Sequence, residues 1–239
     1  MIDLHSHILP ELDDGALSLD DAVAMAKQAW EDGIEAVCAT PHIRHDHDVH
    51  IHEIAQRVAA LQDALEEEGI PVRILPGGEL AQTAAASLSA QELRLVSLGG
   101  AGGWVLLEPA PGPLDAELRK TVDSLQRGGV GVVLAHPERH AGADFEEHLR
   151  ALAEQGCLIQ WTADFVARAI PGDLVLDYAA KGLVHLLASD AHSSLAGRPL
   201  RLSDGFARLG KVCPSEWVEW MAETAPAAIV RGGPLTPPW

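Results

Sequence analysis

Short, near-continuous apolar runs alternate with longer amphipathic stretches along all 239 residues of this chain. Seven such runs stand out, at residues 1–5, 34–40, 72–75, 104–108, 130–136, 157–161 and 184–189. A run that is apolar at every position, not at every second one, fits a strand covered on both faces, as in a parallel sheet. The segments between the runs carry helix signals. Ser18 is an N-cap ahead of Asp20 and Asp21, and Gly33 is a stop after Trp30 and Asp32. Stretches 52–68, 114–127 and 144–155 end at Gly69, Gly128-Gly129 and Gly156. Strand followed by helix, seven times over, predicts an α/β fold closed or nearly closed into a seven-stranded (β/α) barrel. A barrel of this kind takes about 250 residues, so residues 1–239 are expected to form one domain. The tail, 214–239, reads as one or two closing helices and a Pro-rich end.

Composition removes several classes of function. With 47% apolar residues the chain has material for a sizeable core, so it is neither disordered nor collagen-like. Lys and Arg number 17 against 35 Asp and Glu, a net charge of −18. Such a surface repels a phosphodiester backbone, so nucleic acid is not an expected partner. No window reaches 18 uncharged apolar residues, so no membrane insertion is expected. The opening residues lack the basic and apolar regions of a secretory signal, and only Cys38, Cys157 and Cys213 are present. Both features point to a reducing cytoplasm. The oligomeric state is not legible.

The unusual residues gather where the strands end. The first strand runs into His5-Ser-His7 and a loop with Asp13-Asp14-Gly15; the second reaches Thr40-Pro41-His42. The third leads through Gly77-Gly78, which let the chain bend, to Glu79; the fourth ends at Glu108. The fifth ends in His136-Pro-Glu-Arg139 and the seventh in Ser189-Asp190-Ala-His192. In a βα barrel the carboxyl ends of the strands form one rim, where active sites are built. Five histidines (His5, His7, His42, His136, His192) and four carboxylates (Asp14, Glu79, Glu108, Asp190) are expected to converge there. Any one of them alone would read as a hydrogen-bonded loop residue. Six of seven strand ends carry one, however, and burying four carboxylates together costs several kcal/mol each without compensation. Divalent cations supply that compensation, and imidazole with carboxylate suits manganese, zinc, iron or cobalt. Nine ligands exceed the six positions of a single ion, so two or three ions are expected.

These blocks, in this order, resemble the motifs of the polymerase and histidinol phosphatase (PHP) superfamily. The opening MIDLHSHILPELDDG, the AHPER block and the SDAH…GRP block are similar to the bacterial manganese-dependent tyrosine phosphatases of the CpsB/YwqE type, which act in capsule and exopolysaccharide control. The resemblance runs from Met1 to about Arg231. It implies a distorted seven-stranded barrel and three metal ions, held by His5, His7, Asp14, His42, Glu79, Glu108, His136, Asp190 and His192. It also implies Arg139 and Arg198 as active-site arginines and a phosphotyrosine-bearing bacterial tyrosine kinase as partner. This chain departs from the pattern at Gln160-Trp161-Thr162, where relatives usually have asparagine, and after Glu108, where Pro-Ala-Pro lacks the usual phenylalanine.

The implied chemistry is hydrolysis of a phosphomonoester by attack of a metal-bridging hydroxide on phosphorus. Arg139 and Arg198 would present guanidinium forks to the phosphate. A phenolate, with a parent pKa near 10, leaves without strong acid help, although His42 or His192 could donate a proton if free of metal. The alternatives are a small-molecule phosphomonoesterase, acting on histidinol phosphate or a sugar phosphate, and a non-catalytic metal-binding regulator. Cys38-Ala-Thr-Pro-His-Ile-Arg44 also fits the C-x5-R loop of cysteine-dependent phosphatases. That loop must wrap phosphate with backbone N–H groups, whereas Pro41 has none, no glycine is present and Cys38 sits in an apolar run. Structural packing is the expected role of Cys38. The stretch from His42 to His52 holds five histidines and reads as a solvated loop, a lid or a further ion site. His140, His148 and His185 have no motif context. Tyr178, the sole tyrosine, places any phosphotyrosine substrate on another molecule.

Overall fold

The computed structural model describes every residue, Met1–Trp239. Its strands are β1 (Ile2–Ser6), β2 (Ala36–Ala39), β3 (His42–Ile43), β4 (Arg73–Pro76), β5 (Glu79–Ala81), β6 (Trp104–Glu108), β7 (Gly131–Leu134), β8 (Leu158–Thr162) and β9 (Leu186–Ala188). All pairings between them are parallel, in a three-stranded sheet β1-β2-β4 and a six-stranded sheet β3-β5-β6-β7-β8-β9. The helices are α1 (Leu19–Glu31), α2 (Ile54–Glu67), α3 (Ala90–Leu95), α4 (Ala116–Arg127), α5 (Phe145–Glu154), α6 (Ala163–Ala167), α7 (Leu174–Ala180), α8 (Ser203–Leu209), α9 (Ser215–Glu219) and α10 (Ala225–Ile229). A π-helical turn, Trp220–Thr224, joins the last two. No helix is long and apolar enough to cross a membrane.

Each of the seven apolar runs holds one strand, but two further short strands, β3 and β5, follow the second and third runs, so there are nine strands in two sheets and the expected seven-strand count is corrected. The cause lies in two short breaks. Pro41 has no N–H to continue the ladder of β2, so the chain steps out and resumes as β3 in the other sheet. Gly77-Gly78 does the same between β4 and β5. These glycines serve close approach and not a left-handed turn. A Cβ on Gly78 would lie 2.8 Å from Ile43 Cγ1, and one on Gly77 would lie 3.1 Å from Thr40 Cγ2.

Beside the Pro41 break each sheet continues its own ladder: Thr40 N–H donates to the Ser6 carbonyl (2.9 Å), extending β1-β2, and Glu79 N–H to the Pro41 carbonyl (3.0 Å), extending β3-β5. The two sheets are hydrogen-bonded where β1 meets the end of β9: Asp190 N–H donates to His5 O (2.9 Å) and His7 N–H to Ala191 O (2.8 Å). That contact brings the first and last strand ends together.

Helix ends follow their local chemistry. Ser18 Oγ caps α1 by accepting from Asp21 N–H (3.2 Å). The helix expected from residue 114 starts at Ala116, because Asp115 accepts from Leu118 N–H (2.9 Å) and caps there. One apolar cluster of 65 buried residues runs between the strands and helices. Cys38 lies in it, at the middle of β2, where burial pushes its thiol far up and Asp3 adds to the shift. An un-ionised thiol inside a strand is a packing group.

Candidate metal centre

Alternation along β1 puts His5 and His7 on one side and Ser6 on the other, where its N–H donates to Thr40 Oγ1 (3.0 Å). Two other strand ends turn sharply. His136 and Asp190 both hold left-handed backbone, with φ of 29° and 51°. For residues with a Cβ this costs roughly 1–2 kcal/mol each. It swings both side chains off the strand direction and into the rim.

All nine expected residues come together there, in four overlapping groups. His7, Asp14, His42 and His192 form one; His5, His136 and Asp190 a second; His5, His7 and Glu79 a third; His42, Glu79 and Glu108 the fourth. Within each group the possible ligand atoms lie within 4.8 Å of one another. Glu79 sits at the middle. Its Oε1 is 2.7 Å from His136 Nε2. Its Oε2 has three imidazole nitrogens nearby: His42 Nδ1 at 3.0 Å, and His5 Nε2 and His7 Nε2 each at 3.4 Å. Even so, that oxygen is fully buried and makes no hydrogen bond. Asp190 Oδ1 is in the same position, 3.4 Å from His5 Nε2 and 3.6 Å from His7 Nε2, with no hydrogen-bond partner. Buried carboxylate oxygens facing imidazole nitrogens at these distances, without hydrogen-bond geometry, fit a site that holds a cation.

The electrostatics carry the same pattern. Burial would raise the Glu79 carboxyl, but His5, His136 and His42 hold it well below the usual carboxylate range. Burial likewise opposes ionisation of Asp190, and His5, His136 and Arg139 overcome it. Burial would lower His7, yet Asp13 and Glu79 push it up to about 10. His5 is also raised, by Glu79 and Asp190 acting against burial. His192 is pushed down to about 4 by burial and by the positive charge of His7.

Several partners of these residues were not legible in sequence. Asp13 Oδ2 accepts from His7 Nδ1 (2.8 Å) and from His42 N–H (3.0 Å), and its Oδ1 accepts from Gly15 N–H (2.9 Å). It orients His7, while its neighbour Asp14 faces the His42–His192 group. The turn closes only because residue 15 is glycine: a Cβ there would lie 2.1 Å from the His7 carbonyl oxygen. Gln160 Oε1 accepts from His5 Nδ1 (3.1 Å), the place where relatives are expected to carry asparagine. Arg44 Nη1 lies 3.3 Å from Glu108 Oε2, so the arginine of the C-x5-R pattern faces a carboxylate and Cys38 is remote in function. The signal that could have found Asp13 is general. An imidazole ligand needs a partner on its second ring nitrogen, and a double Asp offers one.

Arg139 and Arg198 both reach the same carboxylate. Arg139 Nη2 donates to Asp190 Oδ2, Arg198 Nη2 lies 3.1 Å from it, and Arg198 Nε donates to the Asp190 carbonyl (2.7 Å). Both arginines line an open cavity of about 480 Å³. In the histidine-rich stretch, His47 packs against the His42 ring (centroids 4.8 Å apart), and His45, His50 and His52 join none of the four groups. The stretch runs through a 3-10 turn, Ile51–Glu53, into α2. His140 is buried beneath His136 and bonded to the Gly112 carbonyl (2.8 Å), a structural role.

A parallel α/β fold with a rim of nine imidazoles and carboxylates defines a candidate metal centre of the PHP type. Residues 1–231 match the family described as capsular polysaccharide synthesis, CpsB/CapC, and the chain belongs to that family. It is 34% identical over 202 residues to the tyrosine-protein phosphatase YwqE of Bacillus subtilis, covering 81% of this chain and 78% of that one. It is 24% identical over 221 residues to the tyrosine-protein phosphatase CpsB of Streptococcus pneumoniae, covering 88% and 90%. A crystal structure from work on those two proteins, described as unique metal-dependent tyrosine phosphatases, superposes with a TM-score of 0.82 at 28% identity. That match covers 99% of this chain and 96% of the other. The histidinol phosphate phosphatase of Lactococcus lactis, 14% identical, shares the fold with a TM-score of 0.55 over 88% of this chain and 93% of its own.

Proposed function

We infer that this chain is a metal-dependent protein-tyrosine phosphatase of the cytoplasm. Its substrate in this reading is phosphotyrosine on a cognate bacterial tyrosine kinase in capsule or exopolysaccharide regulation. The observation that carries the reading is Glu79 Oε2, buried among three imidazole nitrogens at 3.0–3.4 Å with no hydrogen bond. A carboxylate has two oxygens, and Glu79 belongs to two of the ligand groups, so it would be able to hold more than one ion. His5, His7, Asp14, His42, Glu108, His136, Asp190 and His192 would complete the shells of two or three divalent ions, manganese being the first choice. Bound ions of this kind supply Lewis acidity and bring the pKa of water near neutrality. One apolar core and the hydrogen bonds between the ends of β1 and β9 support reading residues 1–239 as one domain, a single distorted barrel interrupted at Pro41 and at Gly77-Gly78.

The chain's own residues do the rest. Arg139 and Arg198, anchored on Asp190, turn their free N–H edges toward the cavity and bind the non-bridging oxygens of the phosphate. Their charge is worth most as negative charge grows on those oxygens in the transition state. Asp13 and Gln160 hold His7 and His5 in one ring orientation, which keeps Nε2 of each directed at Glu79 and Asp190.

The test compares hydrolysis of a phosphotyrosyl peptide, a phosphoseryl peptide and histidinol phosphate with manganese supplied. Fastest turnover of the phosphotyrosyl peptide is expected. A chelator should abolish it, manganese should restore it, and Cys38→Ser should keep most of it. Preference for histidinol phosphate would assign the chain to small-molecule chemistry. A folded, metal-loaded Cys38→Ser protein without activity would overturn the metal mechanism.

A further inference from the structure

β8 is the long strand whose end supplies no candidate metal ligand, and the surface beyond it is built differently. Phe165, on α6, is 46% exposed and stacked on buried Trp161, with centroids 6.2 Å apart and rings 23° from parallel. It lines the cavity that holds Arg139 and Arg198. On its other side lies a second cavity of about 500 Å³, walled mainly by Phe145, Trp161, Leu174 and Tyr178. The two cavities share Glu138, Phe165 and Arg168, so they adjoin as two halves of one surface groove along a common wall. Its two halves differ in chemistry: Arg139, Arg168 and Arg198 with the carboxylates Glu138 and Asp164 at one end, mainly aromatic and aliphatic carbon at the other. Ile170 and Leu174, on the turn that follows α6 and at the start of α7, are 63% and 64% exposed. Large apolar side chains grouped in this way mark a surface that is covered in use.

We propose that this groove is the peptide subsite of the phosphatase, and that Phe165 is its specificity-determining residue. With the phosphate held by Arg139 and Arg198, the aryl ring of phosphotyrosine lies against Phe165. An apolar side chain next to the phosphotyrosine enters the cavity walled by Phe145, Trp161 and Tyr178. The inference deepens the phosphotyrosine reading and rests on it. Two arguments select this occupant. Phe165 lines the same cavity as the arginines that would fix the phosphate, so it is the aromatic wall open to whatever is esterified to that phosphate. A flat aryl group gains ring–ring contact there, whereas an alkyl phosphate or a sugar phosphate gains nothing from it. Trp161, pinned by donating its Nε1–H to the Leu183 carbonyl (3.1 Å), holds Phe165 in place before substrate arrives.

The experiment uses the manganese-loaded full chain and two phosphotyrosyl peptides that differ only in having leucine or glycine on both sides of the phosphotyrosine. In the parent protein kcat/KM should favour the leucine peptide by about ten-fold, mostly through KM, the scale set by burying one aliphatic side chain. Leu174→Asp should bring that ratio close to one. Phe165→Ala should raise KM for both peptides several-fold. Both positions are exposed, so thermal melting should be nearly unchanged and a folding defect is separable. A parent ratio near one, or a ratio that Leu174→Asp leaves intact, overturns the subsite while the phosphotyrosine reading stands. A dimer in sedimentation that Leu174→Asp dissociates assigns the face to a second copy and overturns it as well. Hydrolysis of histidinol phosphate with neither peptide cleaved overturns both readings together.

Discussion

The two ends of the strands bury histidine in opposite ways. At the carboxyl end His7 is 1% exposed and its imidazole is pushed up to about 10, because Asp13 and Glu79 outweigh burial. At the amino end His185, just ahead of β9, is 3% exposed and pushed down to about 4 by burial alone. Its Nδ1 accepts from the Ile159 N–H (3.2 Å) and its ring packs near Trp239, with centroids 5.7 Å apart. Burial is nearly equal at the two sites, so burial does not set the charge; the neighbours do. The rim concentrates negative charge and holds its histidines as partners for it. The base excludes charge and uses histidine as a neutral ring with one acceptor nitrogen. Only the first environment suits cations, and only the second tolerates none.

The sharpest way to break the rim half of this contrast is Glu79→Gln, which keeps shape and removes charge. Metal analysis should find at least one ion fewer per chain, and phosphatase activity should fall by about 100-fold or more. Full metal content with near-normal turnover would remove Glu79 from the site. A smaller effect is expected one step outward. Arg139→Ala should cost about 2–4 kcal/mol of transition-state stabilisation, roughly 30- to 1000-fold in rate, with metal content intact. Loss of metal in that variant would show that Arg139 serves Asp190 and not the phosphate.

The smallest effect belongs to the base and appears as stability. Below pH 6.5 the unfolded chain protonates residue 185 while the folded chain keeps it neutral until about pH 4. The unfolded state therefore binds more protons in that window, and stability falls as pH drops through it. The contribution of His185 to that loss is at most roughly 3 kcal/mol. In urea unfolding at pH 7 and pH 4, the parent should lose more stability than His185→Gln by up to that amount. Equal losses would place the acid sensitivity elsewhere.

Much of the site was legible because polar residues interrupted runs that were otherwise apolar. His5, His42, Glu79, Glu108, His136 and Asp190 stood out for that reason, and all of them meet at the rim. The roles of their partners did not stand out. Gln160 was visible only as a departure from the family pattern and Arg44 only as the end of C-x5-R; that they sit on His5 and Glu108 is set by folding. The short elements were equally silent. β3 has two residues and β5 three, and α3, α6, α7 and α8 have six, five, seven and seven, too few for a period to register. The groove beside the arginines escaped notice as well, since Phe145, Trp161, Phe165 and Tyr178 come from four separate elements or turns.

The sequence by itself determined the parallel α/β class, the absence of membrane-spanning helices and the set of nine residues at the strand ends. These are local properties: the apolar run, the helix cap and stop, and the cost of a carboxylate in an apolar setting are read one segment at a time. Only the tertiary structure decided that Asp13 holds both the His7 ring and the His42 backbone, that two short strands follow Pro41 and Gly77-Gly78, and that neighbours push His7 up while burial pushes His185 down. Each of those depends on distances between residues far apart in the chain. Electrostatic energy falls with distance in space, and spacing along the sequence does not report it.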